Sequence, residues 1–586
     1  MPDYPTNPFH SEAVNWDFEN FSREEPETRQ VAYGDASMKC PTYVTRTPPC
    51  QDSCPAGEDI RGINNLLRGV WPSDNPWEAA FRRLTKSNPF PAVMGRVCPA
   101  PCQGGCNRQY RDETVGINAV EHAIGQYAVE HKLAFDKPTA PKTGKRIAIV
   151  GSGPGGLSCA YHSVQKGHSV TIFERDPKLG GMMRYGIMGY RVDRDVMDAE
   201  IQRILDLGVE VKLNTQIGTD ITLDQLRSDY DAVFLAVGAQ VGRGIPIPGS
   251  EGTSNVTNAI SFLREFELNG GPEGNVENLN LGKHVLVIGD GDVAMDVARL
   301  ALRLGSKATL LSGVAREEMN CSAYEFDEAL AEGTDMKFQT GSVEILRDGD
   351  KVTGIKCQKM VRKEKGEDGW NHAIPFFRYK AEEGSEFTID TDMVVASIGQ
   401  GTDMKGLESA TNDSPFLKVD HNYQIVGMED VFGGGDAVKI ALLTTAIGHG
   451  RIAADSIDMF LNGIPLPRKS RADVVKYDKL KSDYFVETPQ AKRKHVNPSI
   501  VKGSWDETLS LLTSDAAVGE SKRCMSCGLC FECNQCMLFC PQDAIDKFKG
   551  NPEGEVMYTR YEVCVGCHIC AEVCPTGYID MGMGLA

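Results

Sequence analysis

Apolar positions along this chain gather into short unbroken runs, and the runs stand in a fixed relation to glycines. Ile147 to Val150 is one such run. It is too short for a buried helix and is bounded by charge on one side and glycine on the other, so it predicts a buried parallel strand. Gly151-x-Gly153-x-x-Gly156 follows, with Gly155 inside the turn, then a helix-compatible stretch, then a second run, Val170 to Phe173, ending at Glu174 and Arg175. Strand, glycine turn, helix, strand and an acid about 20 residues on form a dinucleotide-binding unit. Gly151 permits the tight turn, Gly153 lets the backbone approach a pyrophosphate, and Glu174 can accept from ribose hydroxyls. The pattern returns 138 residues later in HVLVIGDGDVAMDVARLALRLGSKATLLSG, which places Gly289, Gly291 and Ala294 on Gly151, Gly153 and Gly156, with Asp292 and Val293 opening the helix. This internal repeat predicts two nucleotide sites in one chain. Ser312 stands where the first unit has Glu174, so the second lacks the acidic ribose partner.

Two further segments complete the central pattern. VVASIGQGTD contains Gly399; VFGGGDAVKIALLTTAIGHGRIAADSI predicts a short strand, a turn with Gly435 and Asp436, and a long helix carrying Thr445. From Pro465 to Ser521 the chain is polar and charged and predicts an extended linker that wraps or spans. There is no apolar run of about 18 residues, so no membrane span is expected. The first twenty residues lack the basic-then-apolar order of a secretory leader, so a cytoplasmic location is expected.

Length and charge narrow the class. At roughly 150 residues per domain, 586 residues make three or four domains. With 62 Lys and Arg against 81 Asp and Glu, the net charge of −19 argues against a general nucleic-acid binder.

Cysteine placement changes the picture most. Of 19, six fall between Cys40 and Cys106 and ten between Cys524 and Cys574; between the blocks lie only Cys159, Cys321 and Cys357. Two dense end blocks in a chain without a leader point to metal or cluster ligation rather than disulfides. Cys530-x2-Cys533-x2-Cys536-x3-Cys540-Pro541 and Cys564-x2-Cys567-x2-Cys570-x3-Cys574-Pro575 each have the bacterial ferredoxin spacing. In that arrangement three Cys of one run hold one [4Fe–4S] cluster and the fourth ligates the other. This assigns Cys530, Cys533, Cys536 and Cys574 to one cluster and Cys564, Cys567, Cys570 and Cys540 to the second. Zinc sites also use CxxC pairs. Cys524 and Cys527 extend the spacing upstream but fall outside the register. They stay open between spare packed thiols, a redox pair and ligands to something else.

Together CQDSCPAG, GRVCPAPCQGGC, VGSGPGGL, GGMMRYGIMGYR, VIGDGDVAMDVARLALRLG, REEM and GD…GRIAADSI, from about Cys40 to Ile457, resemble the small (β) subunit family of glutamate synthase. With RCMSCGLCFECNQC and CPTGYIDMGMG appended, the chain resembles the DsrL-type iron–sulfur flavoproteins that work beside dissimilatory sulfite reductase. The resemblance implies a multidomain α/β fold. A helical iron–sulfur domain (1–142) precedes a Rossmann-like FAD domain split over 143–245 and 393–465. A Rossmann-like NAD(P) domain (246–392) is inserted in it, and a linker (466–521) leads to an α+β bacterial ferredoxin domain (522–586). It also implies that Cys54, Cys98, Cys102 and Glu121 hold one N-terminal cluster, and Cys40, Cys50 and Cys106 a second that is one cysteine short. Gly181, Arg184 and Arg191 would serve the flavin. At the second site Gly313 and Val314 replace the arginine pair of NADPH-using members. A 2′-phosphate needs a cationic partner, so NADH is expected over NADPH unless Arg316 restores the charge.

The activity so implied passes electrons between NAD(H), FAD and [4Fe–4S] clusters to or from a redox protein such as dissimilatory sulfite reductase or ferredoxin. No side chain is assigned as a catalytic acid or base. The alternatives are a ferredoxin:NAD(P) reductase, an electron-input subunit for a glutamate synthase or 2-oxoacid oxidoreductase, and a cluster-bearing scaffold. A homodimer stays open.

Overall fold

The computed structural model describes residues 37–275, 279–411, 414–467, 472–495, 504–547 and 557–583. The segment read for a leader lies outside these residues.

The first glycine turn sits where its pattern predicts. Strands β2 (Arg146–Val150), β3 (Ser169–Phe173), β4 (Glu210–Lys212), β5 (Ala232–Leu235) and β17 (Val431–Gly433) form a parallel sheet in the order β17-β5-β2-β3-β4. The second sheet is also parallel. It joins β7 (Val256–Asn258), β8 (His284–Ile288), β9 (Lys307–Leu311), β10 (Asp335–Lys337) and β15 (Met393–Ala396) in the order β10-β9-β8-β15-β7. The apolar runs of β2, β3, β5, β8, β9 and β15 are buried on both faces, as inner parallel strands require, while the edge strands β4, β7 and β10 are partly exposed. The expected return to the first domain at 393 comes too early: β15 pairs with β7 and β8, so Met393–Ala396 belongs to the second unit. The crossing between units is the short antiparallel pair of β6 (Val241–Gly242) and β16 (Gln400–Gly401). A four-stranded antiparallel sheet is built from β11 (Thr340–Asp348), β12 (Lys351–Arg362), β13 (Tyr379–Ala381) and β14 (Phe387–Asp390), and it flanks the second unit.

The N-terminal domain is helical, with α1 (Ile60–Leu67), α2 (Pro76–Leu84), α3 (Pro91–Val97) and α4 (Ile117–Glu130). Asp59 caps α1 by accepting from the Gly62 amide, and Asn75 caps α2 with Pro76 in its first turn. Its buried side chains, Phe81 and Phe90 among them, share one continuous apolar core with the first nucleotide unit and the C-terminal segment. Each such ring contributes roughly 1.5–3 kcal/mol on burial. In that unit α5 (Pro154–Gln165) crosses α8 (Leu443–Leu461). A Cβ on Gly450 would lie 2.2 Å from the Gly155 carbonyl oxygen, so the crossing needs glycine. In the second unit α6 (Asp292–Arg303) packs against α7 (Ala323–Ala331).

Of the two readings of the linker, its described residues take the wrapping one. Trp505 stacks on Phe266 in the second unit, ring centroids 5.3 Å apart, and α9 (Ser514–Lys522) packs on α4. The C-terminal module has the hairpin β18 (Ile545–Lys547) and β19 (Met557–Thr559), while β20 (Ile579–Gly582) pairs with β1 (Cys40–Tyr43) near the other end of the chain.

Candidate functional site

Each glycine turn opens a helix onto its own space, and the two spaces share an edge. Gly151 has φ +96°, and a Cβ there would meet the Ala236 carbonyl oxygen at 2.4 Å, so the turn excludes other residues. Gly156 packs under the same turn. Gly151, Gly153, Gly155, Glu174, Arg175, Gly181 and Gly435 line a cleft along the first sheet. Glu174 is buried and accepts from the backbone amides of Ser152 (2.8 Å) and Asp176 (2.9 Å), which fixes its carboxylate at the end of β3. Arg175 donates to the Gln240 side chain at 2.8 Å.

Met182, Asp436, Leu442 and Leu443 line both this cleft and a larger cavity of about 910 Å³ between the two units. Gly291, Asp292, Val293 and Gly399 line its far side. Burial pushes the Asp436 carboxyl up to about 6, partly opposed by the Ala441 amide that it accepts from at 3.1 Å. His449 accepts from the Gly435 amide at 3.1 Å, and burial lowers it to about 4, so it is neutral. Arg493, from the expected linker, also walls the cavity; it donates to the Asn118 side chain and the Gly95 carbonyl.

Several expected contacts fall elsewhere. Arg184 turns away from both spaces to the Leu179 carbonyl (2.6 Å) and Asp198. Arg191 borders the cavity, but its guanidinium is engaged by Asp296 (2.9 and 2.8 Å) and Glu325, which bolts the first unit to α6 and α7. One position of helical register separates Thr445 from the residue that faces the cavity, Thr444, whose hydroxyl lies 3.8 Å from Cys98 Sγ. Gly289 is covered by Ser397. Ser312 is fully buried, its hydroxyl satisfied by the Val314 backbone. Arg316 lies on the surface, over Phe326 and 3.2 Å from Asp327. Arg362 and Arg378 are nearby cations that the sequence reading missed, and both pair with Glu318.

The thiols gather in four places. Cys530, Cys533, Cys536 and Cys574 line one pocket, and Cys540, Cys564, Cys567 and Cys570 another. Both donor sets suit a four-iron cluster. Cys54, Cys98 and Cys102 share a buried environment with Glu121 and with Glu58, a carboxylate the sequence reading did not single out. Asn88 donates to both, at 3.0 Å to Glu121 and 2.8 Å to Glu58. Burial raises both carboxyls, Glu58 to about 7. Cys50 and Cys106 line a fourth pocket, and its other two thiols are Cys524 and Cys527. Cys40 is not among them: β1 carries it to β20, beside Cys564.

Comparison with known proteins agrees with this build. Residues 145–450 match the pyridine nucleotide-disulphide oxidoreductases, 17–133 the dihydropyrimidine dehydrogenase domain II with a 4Fe-4S cluster, and 523–578 the 4Fe-4S dicluster domain. The chain is 33% identical over 441 residues to the NADP(+)-dependent formate dehydrogenase subunit beta of Moorella thermoacetica, covering 71% of this chain and 60% of that protein. It is 31% identical over 527 residues to the NADPH-Fe(3+) oxidoreductase subunit beta of Geobacter sulfurreducens, covering 82% and 75%. It is 34% identical over 452 residues to the glutamate synthase [NADPH] small chain of Escherichia coli, covering 74% and 91%.

Proposed function

The chain belongs to the pyridine nucleotide-disulphide oxidoreductases of the glutamate synthase small-chain type, and on that premise we propose that it moves electrons between a nicotinamide nucleotide and a redox protein by way of FAD and [4Fe–4S] clusters. The observation that carries this reading is the position of Cys98. It belongs to the group with Cys54, Cys102 and Glu121, and it walls the cavity that also contains Asp436 and Gly291.

The first cleft would hold FAD: Gly151 and Gly153 offer backbone to a pyrophosphate, Glu174 offers acceptors to ribose, and Asp436 sits at the junction with the cavity. The Gly291 turn would hold the nicotinamide nucleotide. A flavin can take two electrons as hydride and release them singly, which is what links a nicotinamide to iron–sulfur clusters. The side chains bind, orient and exclude water. Asp436 and the neutral His449 fix the turn, and Thr444 donates or accepts at Cys98. No side-chain acid or base is needed.

NADH is the proposed nucleotide, although the names of the relatives above carry NADP or NADPH. Val314 is fully buried, a Cβ on Gly313 would lie 2.7 Å from the Phe376 ring, and Arg316, Arg362 and Arg378 are already paired. No unpaired cation therefore meets a 2′-phosphate among these residues. The proposed partner is dissimilatory sulfite reductase, supported by the tail motif RCMSCGLCFECNQC. Input to a glutamate synthase large subunit is the second reading, favoured by the small-chain likeness.

Anaerobic titration with NADH and with NADPH, followed by flavin and cluster absorbance, tests the core of this. NADH should bleach the flavin at a concentration at least tenfold below NADPH. Equal or reversed preference removes the NADH assignment. Failure of both nucleotides on FAD-containing protein removes the oxidoreductase reading.

A further inference from the structure

We propose that Cys50, Cys106, Cys524 and Cys527 together bind one [4Fe–4S] cluster, so that a single group takes two ligands from each end of the chain. The four thiols line one pocket, closed by Ile60, Val115 and Ile117 and edged by Arg61 and Asn107. Cys50 lies on the short helix Pro49–Asp52, and Cys106 precedes the turn Asn107–Tyr110. Cys524 and Cys527 follow α9 directly.

The C-terminal pair is held for this purpose by the N-terminal domain. Arg61 donates to the Cys527 carbonyl (2.7 Å), Arg68 to the Cys524 carbonyl (2.5 Å), and Arg108 to the Arg523 carbonyl (2.9 Å). Between the two cysteines Ser526 adopts φ +49°, and its buried hydroxyl donates to the Asn65 side chain at 2.7 Å. A left-handed non-glycine residue persists only where its surroundings impose it. Here the imposed turn brings Cys524 and Cys527 to one pocket. Asn107 donates toward Cys527 Sγ at 3.8 Å, the kind of sulfur contact that tunes a cluster.

The surroundings support the same assignment. Thiolate ligands in a buried pocket require cationic compensation, which Arg61 at the edge of the pocket and the cluster iron would supply. Among the described residues no three Cys, His, Asp or Glu side chains converge as a lone metal ion would need. A four-iron cube instead offers four separate corners. The assignment also supplies the two thiols that the N-terminal block lacks, a role Cys40 cannot fill from β1.

The test uses the full chain, made and purified anaerobically, with iron, zinc and acid-labile sulfide assayed and EPR recorded after dithionite reduction. None of these readouts depends on NAD(P)H, so they stand or fall separately from the proposed function. Wild type should hold about 16 iron atoms, four for each of four clusters, and Cys524→Ala/Cys527→Ala about 12, with one reduced-cluster EPR signal lost. Cys40→Ala should keep the full iron content and every signal. Cys527→Ser, which keeps an oxygen ligand and guards against misfolding of the double variant, should shift the g-values of one signal only. Full iron content in the double variant, loss of four iron atoms in Cys40→Ala, an unchanged spectrum in Cys527→Ser, or zinc in this pocket would each overturn the assignment.

Discussion

At the scale of single residues, Arg191 shows how a side chain can look like a cofactor contact and serve as a joint. It follows GGMMRYGIMGY and borders the cavity, yet it meets Asp296 and Glu325 across the seam between the nucleotide units. Burial alone would lower its guanidinium; the two carboxylates more than reverse that and raise it. Removing one partner of a buried pair strands the other at a cost of about 3–5 kcal/mol. Arg191→Ala should therefore lower the apparent melting temperature and slow flavin reduction by NADH in stopped flow, with dithionite reduction of the clusters unchanged. An unaltered NADH rate would show that the seam is not set by this pair. Residue roles were only partly legible in the sequence. Gly151, Glu174 and Asp436 carry their local geometry with them. Arg184 and Ser312 do not, because their partners, Leu179 and Asp198 in one case and the Val314 backbone in the other, depend on how the chain turns after the strand.

At the scale of elements, the crossing of α5 and α8 sets the first cleft. Gly155 contributes both to the cleft wall and, through its carbonyl oxygen, to the contact beneath Gly450. A methyl there must push the helices apart, and overpacking of this kind costs about 1–3 kcal/mol. Gly450→Ala should reduce the FAD retained after gel filtration and lower the melting temperature by several degrees. Retention equal to wild type would show that the crossing can relax without disturbing the cleft. Elements with strong local periodicity were the legible ones: both strand–glycine–helix units lie at the expected residues. The misplacement of β15 has a physical reason. A four-residue buried strand reads the same in either sheet, and only its pairing with β7 and β8 assigns it. Thr444 and Thr445 differ by one helical step, which periodicity in a helix this apolar does not resolve.

At the scale of the molecule, the buried histidines make stability depend on pH. His162, on α5, is lowered by burial to about 3, and His449 is lowered to about 4. Unfolded histidine titrates near 6.5. The unfolded chain therefore binds more protons below that pH, so stability is full above about 6.5 and declines as pH falls toward the folded values, by about 1.4 kcal/mol per unit for each group. The Glu58 carboxyl, raised to about 7, pulls the other way below that pH, so the histidine contribution is the fall in melting temperature between about pH 6.5 and 5 that wild type shows in excess of a His162 variant. His162→Gln should flatten that fall relative to wild type; acid loss of clusters is common to both chains and cancels. Parallel curves for the two would refute the linkage. The meeting of Cys50 and Cys106 with Cys524 and Cys527 was the least legible feature, since no local spacing reports a contact across more than 400 residues.

The strand pair β1–β20 has a consequence in time. Cys40 lies opposite Gly582, and Arg46 bonds to the Gly577 carbonyl at 2.8 Å and to Asp580. At a synthesis rate of about 5–20 residues per second, β1 waits roughly half a minute to two minutes on the ribosome before its partner is made. Throughout that wait Cys50 and Cys106 stand without Cys524 and Cys527, while Cys54, Cys98, Cys102 and Glu121 already belong to the domain made first. The pocket proposed to join both ends of the chain is thus the last of the N-terminal thiol groups to be completed.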